Sequence, residues 1–154
     1  MTAINTIINS MPLLLFGALM TLKITILSSL IGFSVGLILG CLNTKKINTY
    51  GLEYLINLYI LIVRGTPVSI QVLIFYYAIP DVIGINFSAF AAGFLALGFN
   101  STAYVAEIVR GGVNAIPQGQ WEAGYVLGYS KTEKFLYIIF PQMFKNCLPS
   151  LTNE

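Results

Sequence analysis

Long apolar stretches without charge alternate with short charged ones along this chain. No charged residue lies in 24–42, and Lys45 and Lys46 follow at once. A helix needs about 20 mostly apolar residues to cross the hydrocarbon core of a bilayer, so 24–42 is predicted as a first span. The apolar run 11–16 before it contains the turn former Pro12. It is expected to meet the membrane obliquely and to leave Lys23 at the outer interface, where its stem can snorkel. A second span is predicted over 54–80, interrupted by Arg64-Gly65-Thr66-Pro67. Pro67 is expected to kink a continuous helix there and to leave its cytoplasmic third among the lipid headgroups. The third uncharged stretch is 82–106, with Asn86 or Ser88 as N-cap of a helix over 86–106.

A polar segment, 107–141, comes next, and the start of a further span is expected at 147–154. Within the polar segment Ile116-Pro117 breaks what precedes it. A short helix from Gln118 is predicted, with Trp121 and Tyr125 stacked at i, i+4 and Val126 and Leu127 adding apolar surface. Gly128 fits the left-handed residue that ends it. Ser130-Lys131-Thr132-Glu133 has the form of a capping box. The helix it opens runs through Phe135, Leu136, Ile138 and Ile139 until Pro141 disturbs it. An apolar face on a helix outside the bilayer has to be covered, either by the chain's own spans or by a groove on a partner.

Small residues recur within the spans. Gly32, Gly36 and Gly40 share one face of the first with Ser28, and Ala92, Gly93 and Ala96 are candidates for the same role in the third. Such a stripe lets helices approach closely, although it could also line a solute path. Phe75-Tyr76-Tyr77 suits an interfacial aromatic belt or, alternatively, solute contact.

Composition fixes the class. Hydrophobic residues make up 56% of the 154 and charged ones 9%, against about 25% charged in a soluble protein; the lipid bilayer is the expected surrounding. A net charge of +2 gives no reason to expect nucleic acid. The sequence has no histidine, which removes the commonest general base and metal ligand. Cys41 and Cys147 are too few and too far apart for a zinc site and read as apolar fillers. With no carboxylate pair inside a span, neither enzyme chemistry nor a cofactor is expected. No basic residue precedes Lys23, so no cleaved leader is expected. Lys45, Lys46, Arg110, Lys131, Lys134 and Lys145, with Arg64 nearby, fall on one side of the three spans. The positive-inside rule makes that side cytoplasmic and the N-terminus extracytoplasmic. Arg64 either snorkels or binds a solute carboxylate. Glu107 and Arg110, at i, i+3, form either a local ion pair worth a few tenths of a kcal/mol or part of a gate.

Glu122-Ala123-Gly124, Gly128, Ile138 and Pro141 fall at the spacing of the E-A-A-x3-G-x9-I-x-L-P loop. That loop marks the permease subunits of ATP-binding-cassette (ABC) importers, which this chain resembles. Ala103-Tyr104-Val105-Ala106-Glu107-Ile108-Val109-Arg110-Gly111-Gly112, then Ile116-Pro117-Gln118-Gly119-Gln120-Trp121-Glu122-Ala123, is similar to the branch for polar amino acids. Arg64-Gly65-Thr66-Pro67 and Thr21-Leu22 are typical of it too. The resemblance implies an all-α, polytopic fold of the type I ABC importer class in a bacterial inner membrane, incomplete at its C-terminus because similar permeases continue past Glu154 with further spans. It implies a cytoplasmic ABC ATPase, a second permease subunit of the same or similar kind, and an extracytoplasmic solute-binding protein as partners. Trp121, Glu122, Ala123, Gly124, Gly128, Ile138 and Pro141 would form the ATPase-coupling loop, and Arg64 and Glu107 are candidates for solute contact or gating. The alternative is a truncated membrane protein that docks the ATPase without transporting. Two positions depart from the loop pattern, Gly124 for alanine and Phe140 for leucine; glycine costs a helix about 1 kcal/mol relative to alanine.

Overall fold

The computed structural model describes residues 2–44 and 51–153. Lys45 and Lys46, part of the predicted cytoplasmic charge, lie outside the described residues. Eight α-helical segments follow one another: α1 (Thr2–Leu42), α2 (Leu52–Arg64), α3 (Val68–Leu73), α4 (Ile79–Ile83), α5 (Ala89–Asn114), α6 (Gln118–Val126), α7 (Lys131–Lys134) and α8 (Phe140–Leu151). A π-helical turn, Ile74–Ala78, joins α3 to α4, and another, Phe135–Ile139, joins α7 to α8. No strand occurs among the described residues.

The stretch 11–16 is continuous with the first predicted span. It belongs to α1, a helix of 41 residues with Pro12 inside it, roughly 60 Å long at 1.5 Å per residue. Proline forfeits one backbone bond there, and the helix continues on both sides of it. Lys23 is exposed within this helix.

The C-terminal half of α1 lies along α5, and its glycine stripe is the contact. A Cβ on Gly32 would stand 2.5 Å from Ser101 Oγ, one on Gly36 2.7 Å from Val105 Cβ, and one on Gly40 2.5 Å from the Ala106 carbonyl. Ser28 adds a hydrogen bond from its hydroxyl to the Phe94 carbonyl, 3.2 Å. From α5, Ala92, Ala96, Ala103 and Ala106 are buried, whereas Gly93 is only half-buried. The small residues thus serve close packing between two helices.

The predicted kink at Arg64–Pro67 is a turn of 102° between α2 and the helical run Val68–Ile83. Pro67 has no N–H and disfavours helical geometry in the residue before it. The freed groups find partners: Gly65 N–H donates to the Leu61 carbonyl, and the Thr66 hydroxyl donates to the Ile62 carbonyl at 2.7 Å. Gln71, buried, donates from its amide to the carbonyls of Val63 (2.8 Å) and Thr66 (2.9 Å) and accepts from the Asn100 amide of α5 (3.2 Å). One side chain closes the elbow and ties it to its neighbour.

α5 begins at Ser88, whose hydroxyl accepts from Ala91 N–H, and runs past residue 106 to Asn114. Glu107 and Arg110 consequently sit inside this helix instead of in a segment after it. Pro141 does not end the helix opened at Ser130. The π turn before it moves the Phe140 N–H bond to the Phe135 carbonyl, five residues back, and α8 continues to Leu151. Pro80 follows the first π turn in the same register, with Ile79 N–H on the Ile74 carbonyl. In each case the wider turn relieves the clash between the proline ring and the carbonyl four residues earlier. Residues 147–151, in the stretch expected to open a further span, lie within α8. By length and apolarity, Ile7–Leu42 and Ala89–Asn114 can each cross a membrane, and α2 with Val68–Ile83 makes a third candidate if the bent pair counts as one span.

Candidate functional site: the helix between spans and a charged cleft

Local sequence sets the boundaries of α6. Pro117, extended at φ −56° and ψ 145°, precedes its first turn. At its end Gly128 takes φ +75°, Gly128 N–H bonds the Tyr125 carbonyl, and Tyr129 N–H bonds the Gly124 carbonyl. This pair of bonds is a Schellman cap, and its left-handed residue favours glycine. Two residues on, the capping box closes: the Ser130 hydroxyl accepts from Glu133 N–H, and Ser130 N–H donates to the Glu133 carboxylate at 2.9 Å. Hydrogen bonds from the Ser130 hydroxyl and then its backbone hold the Glu133 carboxyl below its ordinary pKa.

The apolar residues of α6 divide between two faces. Trp121 is buried in a core with Ile116, Ile139, Met143 and Val113, and Gly124 is buried as well. Tyr125, Val126 and Leu127 point away, 62%, 88% and 67% exposed. The expected single face with Trp121 and Tyr125 stacked is therefore corrected: Trp121 anchors the helix inward, and Tyr125 belongs to the outer surface. Glu122, Ala123 and Gly128 are exposed on that outer side, Ile138 is half-buried beneath, and Pro141 is exposed.

Lys134 carries more than its charge suggested. It is 3% exposed, and its ammonium lies 3.0 Å from the centroid of the Tyr125 ring and 5.9 Å from that of Trp121. The ammonium bonding to the phenol and its positive charge lower the Tyr125 pKa. No local pattern announces this contact, which joins residues from two different helices. The sole hint in the sequence is the glycine at 124, where the loop pattern has alanine.

The structure does bring Arg64 and Glu107 together. One carboxylate stands between two guanidinium groups: Arg110 Nε donates to Glu107 Oε2 at 2.9 Å, and Arg64 lies 4.0 Å from Glu107 Oε1. Arg64 also sits 5.0 Å from the centroid of the Tyr104 ring. Asn57, Ile60, Leu61 and Gly65 complete a cleft around the Arg64–Glu107 pair. The side chains of Arg64 and Glu107 are 41% and 28% exposed, so the pair contributes at most about 1 kcal/mol to stability.

Comparison with known proteins places this geometry. The putative glutamine transport system permease protein GlnP of Rickettsia felis is 41% identical over 146 residues, covering 93% of this chain and 66% of the relative. The arginine transport system permease protein ArtQ of Bacillus subtilis is 38% identical over 148 residues, covering 96% and 66%. The chain thus spans just under two thirds of the length of both. A crystal structure of an amino acid ABC transporter with histidines superimposes with a TM-score of 0.82 at 38% identity, over 96% of this chain and 68% of that one. The methionine ABC transporter MetNI in inward-facing conformations shares the fold, with a TM-score of 0.73 at 21% identity over 94% of this chain and 68% of that one.

The fold and these relatives together define an all-α membrane domain of the type I ABC importer class, incomplete relative to them. The chain belongs to the family of binding-protein-dependent transport system inner membrane components, which it matches over residues 32–154.

Proposed function

We propose that this chain is a permease subunit of an ABC importer for a polar amino acid, and that α6 is the element that docks on the cytoplasmic ATPase. The observation that carries the proposal is the outward apolar surface of Tyr125, Val126 and Leu127 on a helix between membrane-crossing segments. A helix with such a face suits an apolar groove on a partner. Glu122 and Ala123 flank that surface, Gly128 supplies the bend, and Trp121, Gly124 and Ile138 attach α6 to the rest of the domain. Pro141 marks the π turn over which the following helix adjusts.

In this reading ATP hydrolysis takes place in the separate ATPase, and closure of two ATPases moves α6 as a rigid lever. The spans form part of a path shared with a second permease subunit, the same or similar, and a solute-binding protein delivers cargo from outside. The glutamine and arginine named for the relatives support a polar amino acid as the solute. Arg64 could receive its carboxylate and Glu107 its ammonium, and breaking their mutual contact would gate the cleft.

The N-terminus is extracytoplasmic in this account. From Lys23 to the end of α1 at Leu42 the helix rises about 28 Å, close to one hydrocarbon thickness. Lys23 then reaches the outer surface while Arg110, Lys131, Lys134 and Lys145 lie on the cytoplasmic side, as the distribution of basic residues requires.

Transport is tested by reconstituting the chain with the ATPase and binding protein of its own system in vesicles, and by following ATP-driven uptake of labelled glutamine and arginine. Uptake of either, lost in Glu107→Gln, supports the transport reading. ATPase binding without uptake supports the non-transporting alternative instead.

A further inference from the structure

Gly124 sits in the middle of α6 with ordinary helical geometry; the positive-φ glycines are Gly51, Gly84 and Gly128. Backbone freedom is therefore no reason for a glycine at 124, where it weakens a nine-residue helix that is already too short to be stable alone. Space is a reason. A Cβ at 124 would lie 2.5 Å from Lys134 Cδ, 2.6 Å from Lys134 Cγ and 3.3 Å from Ile138 Cδ1. The lysine stem fills the volume that a methyl group would need. Its ammonium then rests against the Tyr125 ring, a favourable seat for a cation withdrawn from water. A second tie lies one turn away, where the Gln142 amide donates to the Gln120 side-chain oxygen at 3.1 Å.

We infer that Gly124 and Lys134 are a matched pair that locks α6 onto the helix after it, so that α6 and residues 131–151 move as one body. Lys134 is a positioning residue: buried, it fixes the angle at which the Tyr125–Leu127 surface is presented. The inference deepens the docking role proposed above and rests on that reading for its functional meaning. It also moves the point of force transfer. A pull on α6 passes through the Lys134 contact into α7 and α8 rather than through the bend at Gly128.

The test is amide hydrogen exchange across 118–128 in the full chain held in lipid nanodiscs. Gly124→Ala is expected to speed exchange about tenfold, because the added methyl meets the lysine stem. In a Lys134→Ala background the same substitution should slow exchange, since alanine is the better helix former once the stem is gone. Lys134→Met, which keeps the stem and loses the charge, should speed exchange about threefold, and Lys134→Arg should restore it to within about twofold of the parent. A Gly124→Ala effect of the same sign and size in both backgrounds overturns the lock, as does Lys134→Met exchange equal to the parent.

Capture of the co-expressed ATPase, scored in parallel with Val126→Asp, separates the two ideas. A sign reversal in exchange with capture indifferent to Val126 keeps the lock and removes the docking reading. Capture that depends on Val126, with additive exchange effects, keeps docking and overturns the lock. If both hold, Lys134→Met should lower capture and Lys134→Arg restore it, with overall unfolding unchanged.

Discussion

Replacing Gln71 by leucine should loosen the elbow between α2 and α3 more than any other single change at that turn. The glutamine amide donates to the Val63 and Thr66 carbonyls at 2.8 and 2.9 Å and accepts from Asn100 at 3.2 Å, in a site where Gln71 is only 5% exposed. Leucine matches its size and abandons all three partners. Leaving a buried carbonyl unpaired costs about 1 kcal/mol or more, and a bond between membrane helices averages about 0.6 kcal/mol. The Val63 carbonyl keeps the Thr66 N–H at 3.3 Å, so only the Thr66 carbonyl loses its partner. The sum is about 1.6 kcal/mol, reduced to about 1 by the gain from burying an apolar chain. Reversible unfolding of the chain in mixed micelles with rising SDS fraction, followed by helix circular dichroism, measures it. Asn100→Leu alone should cost about 0.6 kcal/mol. The double variant should then fall short of additivity by about the same amount, because the two changes break one shared bond. A loss below about 0.5 kcal/mol for Gln71→Leu, or strict additivity with Asn100→Leu, would refute the reasoning.

Two further outcomes follow from the geometry. Gly40→Ala places a methyl 2.5 Å from the Ala106 carbonyl and 2.6 Å from Val109 Cβ, so α1 must move from α5 at a cost of about 1–3 kcal/mol; the same unfolding assay reads it, and Gly17→Ala, with open space around its Cβ, should bring no loss and a gain of up to about 1 kcal/mol from helix propensity. The Glu133 carboxyl is held below its ordinary value by Ser130, so the folded state binds its proton more weakly than the unfolded one does. Its contribution is present above the unfolded value of about 4.3 and is lost as pH falls through the lower folded value. Protection of the amides of 131–134 should therefore decline with acidification in the parent after correction for intrinsic exchange, and should be low and flat in Ser130→Ala.

Features decided within a turn of the chain were legible from the residues alone. The cap of α5, narrowed by the sequence to Asn86 or Ser88 and found at Ser88, the glycine cap at 128 and the capping box at Ser130 each depend on neighbours three to five positions apart. The break at Arg64–Pro67 was legible as a location, because Pro67 acts on its own backbone. Its angle was not, because 102° depends on Gln71 reaching back to Val63 and across to Asn100. The continuity of α1 through Pro12 was not legible, because the loss of one backbone bond at a proline leaves open whether a helix ends or continues. The division of α6 into a Trp121 face and a Tyr125 face also escaped a reading by spacing. Residues four apart lie near each other on a helix, yet Lys134, brought in from α7, holds Tyr125 on the outer side. Gly124 looked like a weakened version of the loop pattern until the lysine stem beside it gave the missing methyl a physical reason.

The central claim is that the exposed side of α6 docks a cytoplasmic ATPase. Its most direct test is capture of that subunit, co-expressed from the same transport system, by the tagged full chain in native membranes, compared between the parent and Val126→Asp. Val126 is 88% exposed, so the charge leaves folding intact while opposing burial in an apolar groove. The account predicts at least a tenfold loss of captured ATPase with unchanged amounts of chain in the membrane. Equal capture by both chains would contradict it.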